Sequence, residues 1–197
     1  FRAPCAYCFY RTWLTVFGSF PPTHPFPYET FFSGFQGIKY FLNAWCSLLR
    51  TWKNVNVILS GAFAFCSKLE SIIIPENVTI IKKCLFLSCT NLVSITFEGN
   101  ITFIDDSAFN NCTKLESISL PYSLQAIGER TFLMCSNLRN LSLSDNLISI
   151  GRNAFERCSN LVSIAIPEKI TEIKMQVFEN CYELQSVEFR GNILSLG

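Results

Sequence analysis

The stretch Ala154-Phe155-Glu156-Arg157-Cys158-Ser159-Asn160-Leu161-Val162-Ser163-Ile164-Ala165-Ile166-Pro167 decides how this chain folds, because its apolar residues recur on a fixed beat. Cys66, Cys89, Cys112, Cys135, Cys158 and Cys181 lie 23 residues apart. Phe63, Phe86, Phe109, Phe132, Phe155 and Phe178 keep the same interval three positions earlier, and Leu69, Leu92, Leu115, Leu138, Leu161 and Leu184 keep it three positions later. Four further apolar columns begin at Ile72, Ile74, Val78 and Ile81. The register runs from residue 62 to residue 197 without an insertion or deletion, so six units share one local structure.

One such unit cannot bury its own apolar positions. Stacking on its neighbours makes the core continuous, which is the logic of a solenoid. The central L-x-x-I-x-I is the strand-forming core of a leucine-rich repeat, whose period is about 20–29 residues. In that strand Ile72 and Ile74 alternate with Ser71 and Ile73, so the first pair points inward. Ala62, Phe63 and Cys66 have the spacing of one face of a short helix or 3₁₀ turn. Asp105-Asp106-Ser107 has N-cap chemistry for that turn. The expected fold is an α/β solenoid, a right-handed stack with a parallel sheet on its concave face and short helical or 3₁₀ turns opposite.

Pro75, Pro121 and Pro167 follow the strand in alternate units, while Glu98-Gly99-Asn100, Ser144-Asp145-Asn146 and Arg190-Gly191-Asn192 stand in the others. Two turn chemistries therefore alternate along the chain.

The repeats resemble the BspA-like class of leucine-rich repeats. The residues that carry the likeness are Asn153-Ala154-Phe155-Glu156-Arg157-Cys158-Ser159-Asn160-Leu161 followed by Ile164-Ala165-Ile166-Pro167, with the pairs Ile127-Gly128 and Ile150-Gly151. The likeness covers about residues 62–197. It implies display on the surface of bacterial or protist cells, adhesion, and binding of host or matrix proteins.

Residues 54–197 form the expected repeat domain, with an open C-terminal end that carries no polar cap. Residues 1–53 read as a separate segment. Its first 37 residues hold twelve aromatics, three charged residues and the run Pro21-Pro22-Thr23-His24-Pro25-Phe26-Pro27. A cap on the first repeat, a degraded repeat near 38–60 and a disordered segment all remain open for it. The chain begins with Phe1 rather than Met, which fits a processed terminus or a fragment. Trp13 to Phe20 is apolar but is followed by no small-residue cleavage site.

A formal net charge of +1 gives no electrostatic reason to expect nucleic acid as a partner. No apolar run is long enough to span a bilayer, so no membrane insertion is expected within the chain. Each unit contributes one cysteine spread along the stack, whereas zinc needs four ligands converging on one ion. The column therefore reads as buried thiols rather than a metal site. Cys5-x-x-Cys8 stands without a second pair, and His24 is the single histidine that a Cys–His or Ser–His mechanism could use. Neither builds a catalytic constellation, so no enzyme activity and no cofactor are expected.

Binding is expected on the outward side of the strands. Ser71, Ser94, Ser117, Asn140, Ser163 and Ser186 form a uniform small polar row. The flanking rows vary, and variation is where specificity resides. Glu70, Ile73, Thr96, Glu116, Arg139 and Glu188 are the candidate binding residues, for a protein partner such as a host or extracellular-matrix protein. The expected role is a surface or secreted adhesin-like module. The alternative is an intracellular scaffold with the same fold. Four sequons make Asn77, Asn100, Asn111 and Asn140 candidate N-glycosylation sites.

Overall fold

The computed structural model describes residues 55–197. The N-terminal segment 1–53, with Cys5, Cys8, His24 and Cys46, lies outside the described residues. Twelve short strands alternate along the chain, two to each unit. The longer strand of each unit is β1 (Ser71–Ile74), β3 (Ser94–Phe97), β5 (Ser117–Ser119), β7 (Asn140–Ser142), β9 (Ser163–Ile166) or β11 (Ser186–Phe189). The shorter partners are β2 (Ile80–Ile81), β4 (Phe103–Ile104), β6 (Ala126–Ile127), β8 (Ser149–Ile150), β10 (Glu172–Ile173) and β12 (Ser195–Leu196).

Every pairing is parallel, and each joins a residue to its counterpart in the neighbouring unit, as Ile72 to Ile95 and Ile118 to Leu141. The longer strands pair as β1–β3 and as β5–β7–β9–β11. The second set of strands, absent from the sequence reading, forms the ladders β2–β4–β6–β8 and β10–β12. Strand alternation is as expected in β1, where Ile72 and Ile74 are buried while Ser71 and Ile73 face solvent. The column that begins at Ile74 is less uniform, because Phe97, Leu120 and Leu143 are only partly buried.

The interior is a set of stacked columns. Phe63, Phe86, Phe109, Phe132, Phe155 and Phe178 stack ring on ring, with centroids 5.3 to 5.7 Å apart and planes nearly parallel. The Leu column is buried from Leu69 to Leu161. Phe178, Cys181 and Leu184 of unit six are partly buried.

The turn face differs from the sequence reading. Among the described residues no helix or 3₁₀ segment forms around A-F-x-x-C. Two residues of each unit adopt a left-handed backbone, for example Ser107 (φ 55°) and Asn111 (φ 62°), and such a residue breaks helical propagation. Alternate amides close single i→i−3 turns, as Leu85 to Lys82 and Cys89 to Phe86. The amides between them donate to the next unit, as Cys84 to Asp106, Phe86 to Ala108 and Ser88 to Asn110. Three such bonds, 2.6 to 3.1 Å long, cross each of the five junctions. The spacing of three and four that suggested a helix is produced by these turns. With no helix to cap, Asp106 instead accepts the Glu129 amide of the next unit at 2.9 Å.

The alternation of turn chemistries is also only partial. Leu147 donates to Ser144 as Val78, Leu124 and Ile170 donate to their prolines, so the Ser144 turn closes like a proline turn. Gly99 and Gly191 mark the two that differ. A Cβ on either would overlap the carbonyl oxygen of Glu76 or Glu168 beneath it.

The left-handed positions give a direct test. Arg130 is exposed with φ 53°, in the column where Gly61 stands in unit one. Relieving the left-handed penalty outweighs the chain entropy of glycine, so Arg130→Gly is expected to stabilise the fold by up to about 1 kcal/mol. Chemical denaturation should show a raised midpoint, and a lowered one would mean that the arginine side chain contributes more than its backbone strain removes.

Candidate binding surface

The six candidate residues are exposed and lie along the longer strands or beside their starts. Ile73 and Thr96 are direct partners across β1 and β3. Glu188 pairs with Ala165 across β11 and β9. The row that begins at Glu70 is held by backbone bonds: Val93 donates to Glu70, Arg139 to Glu116, Val162 to Arg139 and Gln185 to Val162. Neighbouring members of each row therefore sit about one strand spacing apart, roughly 4.8 Å.

The chemistry of this face is mixed. Ile73 is 50% exposed, Val93 44% and Val162 39%, and the two valines stand on either side of Glu116 and Arg139 in one row. Side-chain ion pairs on the face involve Glu188, whose carboxylate meets Arg190 at 3.6 Å, and Arg190 also reaches Asp145 at 3.3 Å. Sequence reasoning did not single out Arg190 or the apolar members Val93 and Val162. The two valines stood in a flanking row and Arg190 in the turn after the last long strand, but nothing in the sequence ranked them.

The four sequons fall in three environments. Asn77 and Asn100 are exposed in the turns after β1 and β3. Asn140 is exposed at the start of β7, paired with Ser117 and Ser163 in the middle of the polar row. Asn111 is partly buried with φ 62°, and its side-chain amide donates to Ser88 Oγ at 3.2 Å.

The cysteine column is inside. Cys66, Cys89, Cys112, Cys135 and Cys158 are buried, and all seven described cysteines are thiols. Among the described residues no group of His, Cys, Asp or Glu is placed to hold a metal ion. No helix among them is long and apolar enough to cross a membrane.

Residues 104–197 match the family described as BspA type Leucine rich repeat region, in six copies. These are BspA-type leucine-rich repeats. A leucine-rich repeat protein of T. pallidum has a similar structure, with a TM-score of 0.65 and 32% identity over 70% of this chain and 64% of that one. The pneumococcal vaccine antigen PcpA shares the fold at 23% identity and a TM-score of 0.53, over 64% of this chain and 31% of that one. The chain thus spans less than two-thirds of the length of either relative. Curated proteins offer no match. As in other repeat solenoids, the BspA-type stack presents an extended surface suited to protein interaction.

Proposed function

We propose that this chain is the recognition part of an adhesin-like protein, displayed on a cell surface or secreted, which binds a host or matrix protein through the concave face of its longer strands. One observation carries the reading. Inward columns repeat Phe, Cys, Leu and Ile almost without change, whereas the exposed flanking rows change residue type from unit to unit. Packing demands the first pattern and places no such demand on the second. Tests should centre on Glu70, Ile73, Thr96, Glu116, Arg139 and Glu188. BspA-like relatives supply the surface setting of this proposal. An N-glycan at Asn77 or Asn100 would leave the face open, while one at Asn140 would cover its middle.

A double change, Glu116→Lys with Arg139→Glu, tests the face. Loss of two central contacts is expected to weaken binding to the captured host or matrix protein by about tenfold or more, with an unchanged thermal midpoint. Undiminished binding by a folded double variant would move the site elsewhere. Antibody labelling of intact source cells tests the setting, and labelling only after permeabilisation would remove the adhesin reading.

A second reading, an intracellular scaffold with the same fold, would follow from the seven described thiols only if they were open to oxidation. Secreted domains with many cysteines usually cross-link them.

A further inference from the structure

We infer that the cysteine column is a permanent set of thiol hydrogen-bond donors that stays reduced even in an oxidising environment, so its thiols carry no information about compartment. The inference starts from five equivalent contacts. Cys89 Sγ donates to the Phe63 carbonyl at 3.0 Å, Cys112 to Phe86 at 3.2 Å and Cys135 to Phe109 at 3.2 Å. Cys158 donates to Phe132 at 3.2 Å and Cys181 to Phe155 at 3.1 Å. In each case the acceptor belongs to the preceding unit. The same carbonyl already accepts a backbone amide, as Phe109 accepts Cys112 N–H and Phe132 accepts Cys135 N–H. The thiol therefore fills the second lone pair of a buried carbonyl and links two units.

The competing state is a real one. Units stacked about 4.8 Å apart bring equivalent α-carbons inside the window of roughly 4.4–6.8 Å that a disulfide accepts. Neighbouring column cysteines could pair by that criterion. Forming Cys112–Cys135, however, would remove two S–H donors and turn both sulfurs off the carbonyls of Phe86 and Phe109. Disulfide exchange also needs a thiolate that an oxidant can reach. Cys112, Cys135 and Cys158 are wholly inaccessible to solvent. Burial, reinforced by neighbouring thiols, holds all three well above the ordinary thiol range. Burial also pushes the partly buried Cys181 up to about 11. Cys84 stands outside the column and is partly exposed, so it serves as an internal control.

The test uses the full chain incubated with oxidised glutathione, then treated with iodoacetamide before or after unfolding in urea, and mapped by mass spectrometry without reduction. In the folded protein Cys112, Cys135 and Cys158 are expected to take up glutathione as a mixed disulfide about a hundredfold or more slowly than Cys84. After unfolding, each should be recovered fully as the alkylated thiol. A peptide pair linked through Cys112–Cys135 or Cys135–Cys158 would overturn the inference. Infrared spectroscopy tests the donor role separately. The S–H stretch of the folded chain should lie below that of the unfolded chain, and an unshifted band would show that the thiols only fill space. Neither measurement depends on where the protein resides, so either can fail while the surface proposal stands, and the reverse.

Discussion

Phe109→Ala is expected to destabilise the fold by about 3–5 kcal/mol, the usual range for removing a buried aromatic ring. Phe109 is fully buried, with its ring 5.3 Å from Phe86 and 5.4 Å from Phe132, so one deletion interrupts the column on both sides. The apolar slot left behind is bounded by rigid turns tied to both neighbours, as Phe109 N–H to Thr131 and Phe86 N–H to Ala108. Such walls relax little, which favours the upper part of the range. The thermal midpoint should fall by roughly 6–20 °C for a domain of this size. Phe178→Ala is the comparison. Phe178 is only partly buried and stacks on Phe155 alone, so its loss should be less than half as damaging. Equal effects at the two positions would mean that stacking within the column contributes little, and that local burial in each unit decides stability.

Gly151→Ala should destabilise through close approach rather than through lost contact. A Cβ at Gly151 would overlap the carbonyl carbon of Gly128 and lie 2.5 Å from the Glu129 nitrogen. Both atoms are backbone, and the ladder fixes their distance, with Gly151 N–H donating to Ile127 at 2.8 Å. To admit the methyl group the two units must separate locally and stretch that bond. Overpacking of this kind costs about 1–3 kcal/mol. Denaturant unfolding is the measurement, with an amide exchange readout at Gly128, Glu129 and the substituted position itself. A midpoint within about 0.5 kcal/mol of the parent, with unchanged protection, would show that the junction is compliant enough to absorb a side chain. Lys82, Asp105 and Lys174 occupy this column in three other units.

The seven apolar columns were legible because stacking multiplies each requirement sixfold. One buried Phe is weak information, but six at a constant interval define a repeat. The Ser71–Ile74 strand was legible for the same reason, with period-two alternation inside each unit. The second strands were not, because two residues such as Ile80–Ile81 are too short to show any alternation. On the turn face, A-F-x-x-C carries helical spacing that i→i−3 turns also satisfy. Gly61, Ser107, Asn111, Asn153 and Asn180 occupy left-handed positions, and residues of these types signal turns. Phe65, Cys84, Arg130 and Met134 sit at equivalent positions and conceal that signal. Exposure of the candidate face followed directly from alternation. Its partner is not legible, because an exposed row records what binding permits and not what it requires.

The turn ladder has an electrical consequence. In its bonded rows the carbonyls of residues such as Lys83, Leu85 and Leu87 accept from the unit before, while the amides of Cys84, Phe86 and Ser88 donate to the unit after. Peptide dipoles on this side therefore align along the stacking axis and add, as they do along an α-helix. In a parallel strand ladder successive residues point to opposite neighbours, so no comparable sum builds up there. One flank of the solenoid is thus polarised from end to end, electron-rich toward the first unit and electron-poor toward the sixth. A formal charge near zero conceals this axial field, which orients any charged molecule approaching that flank.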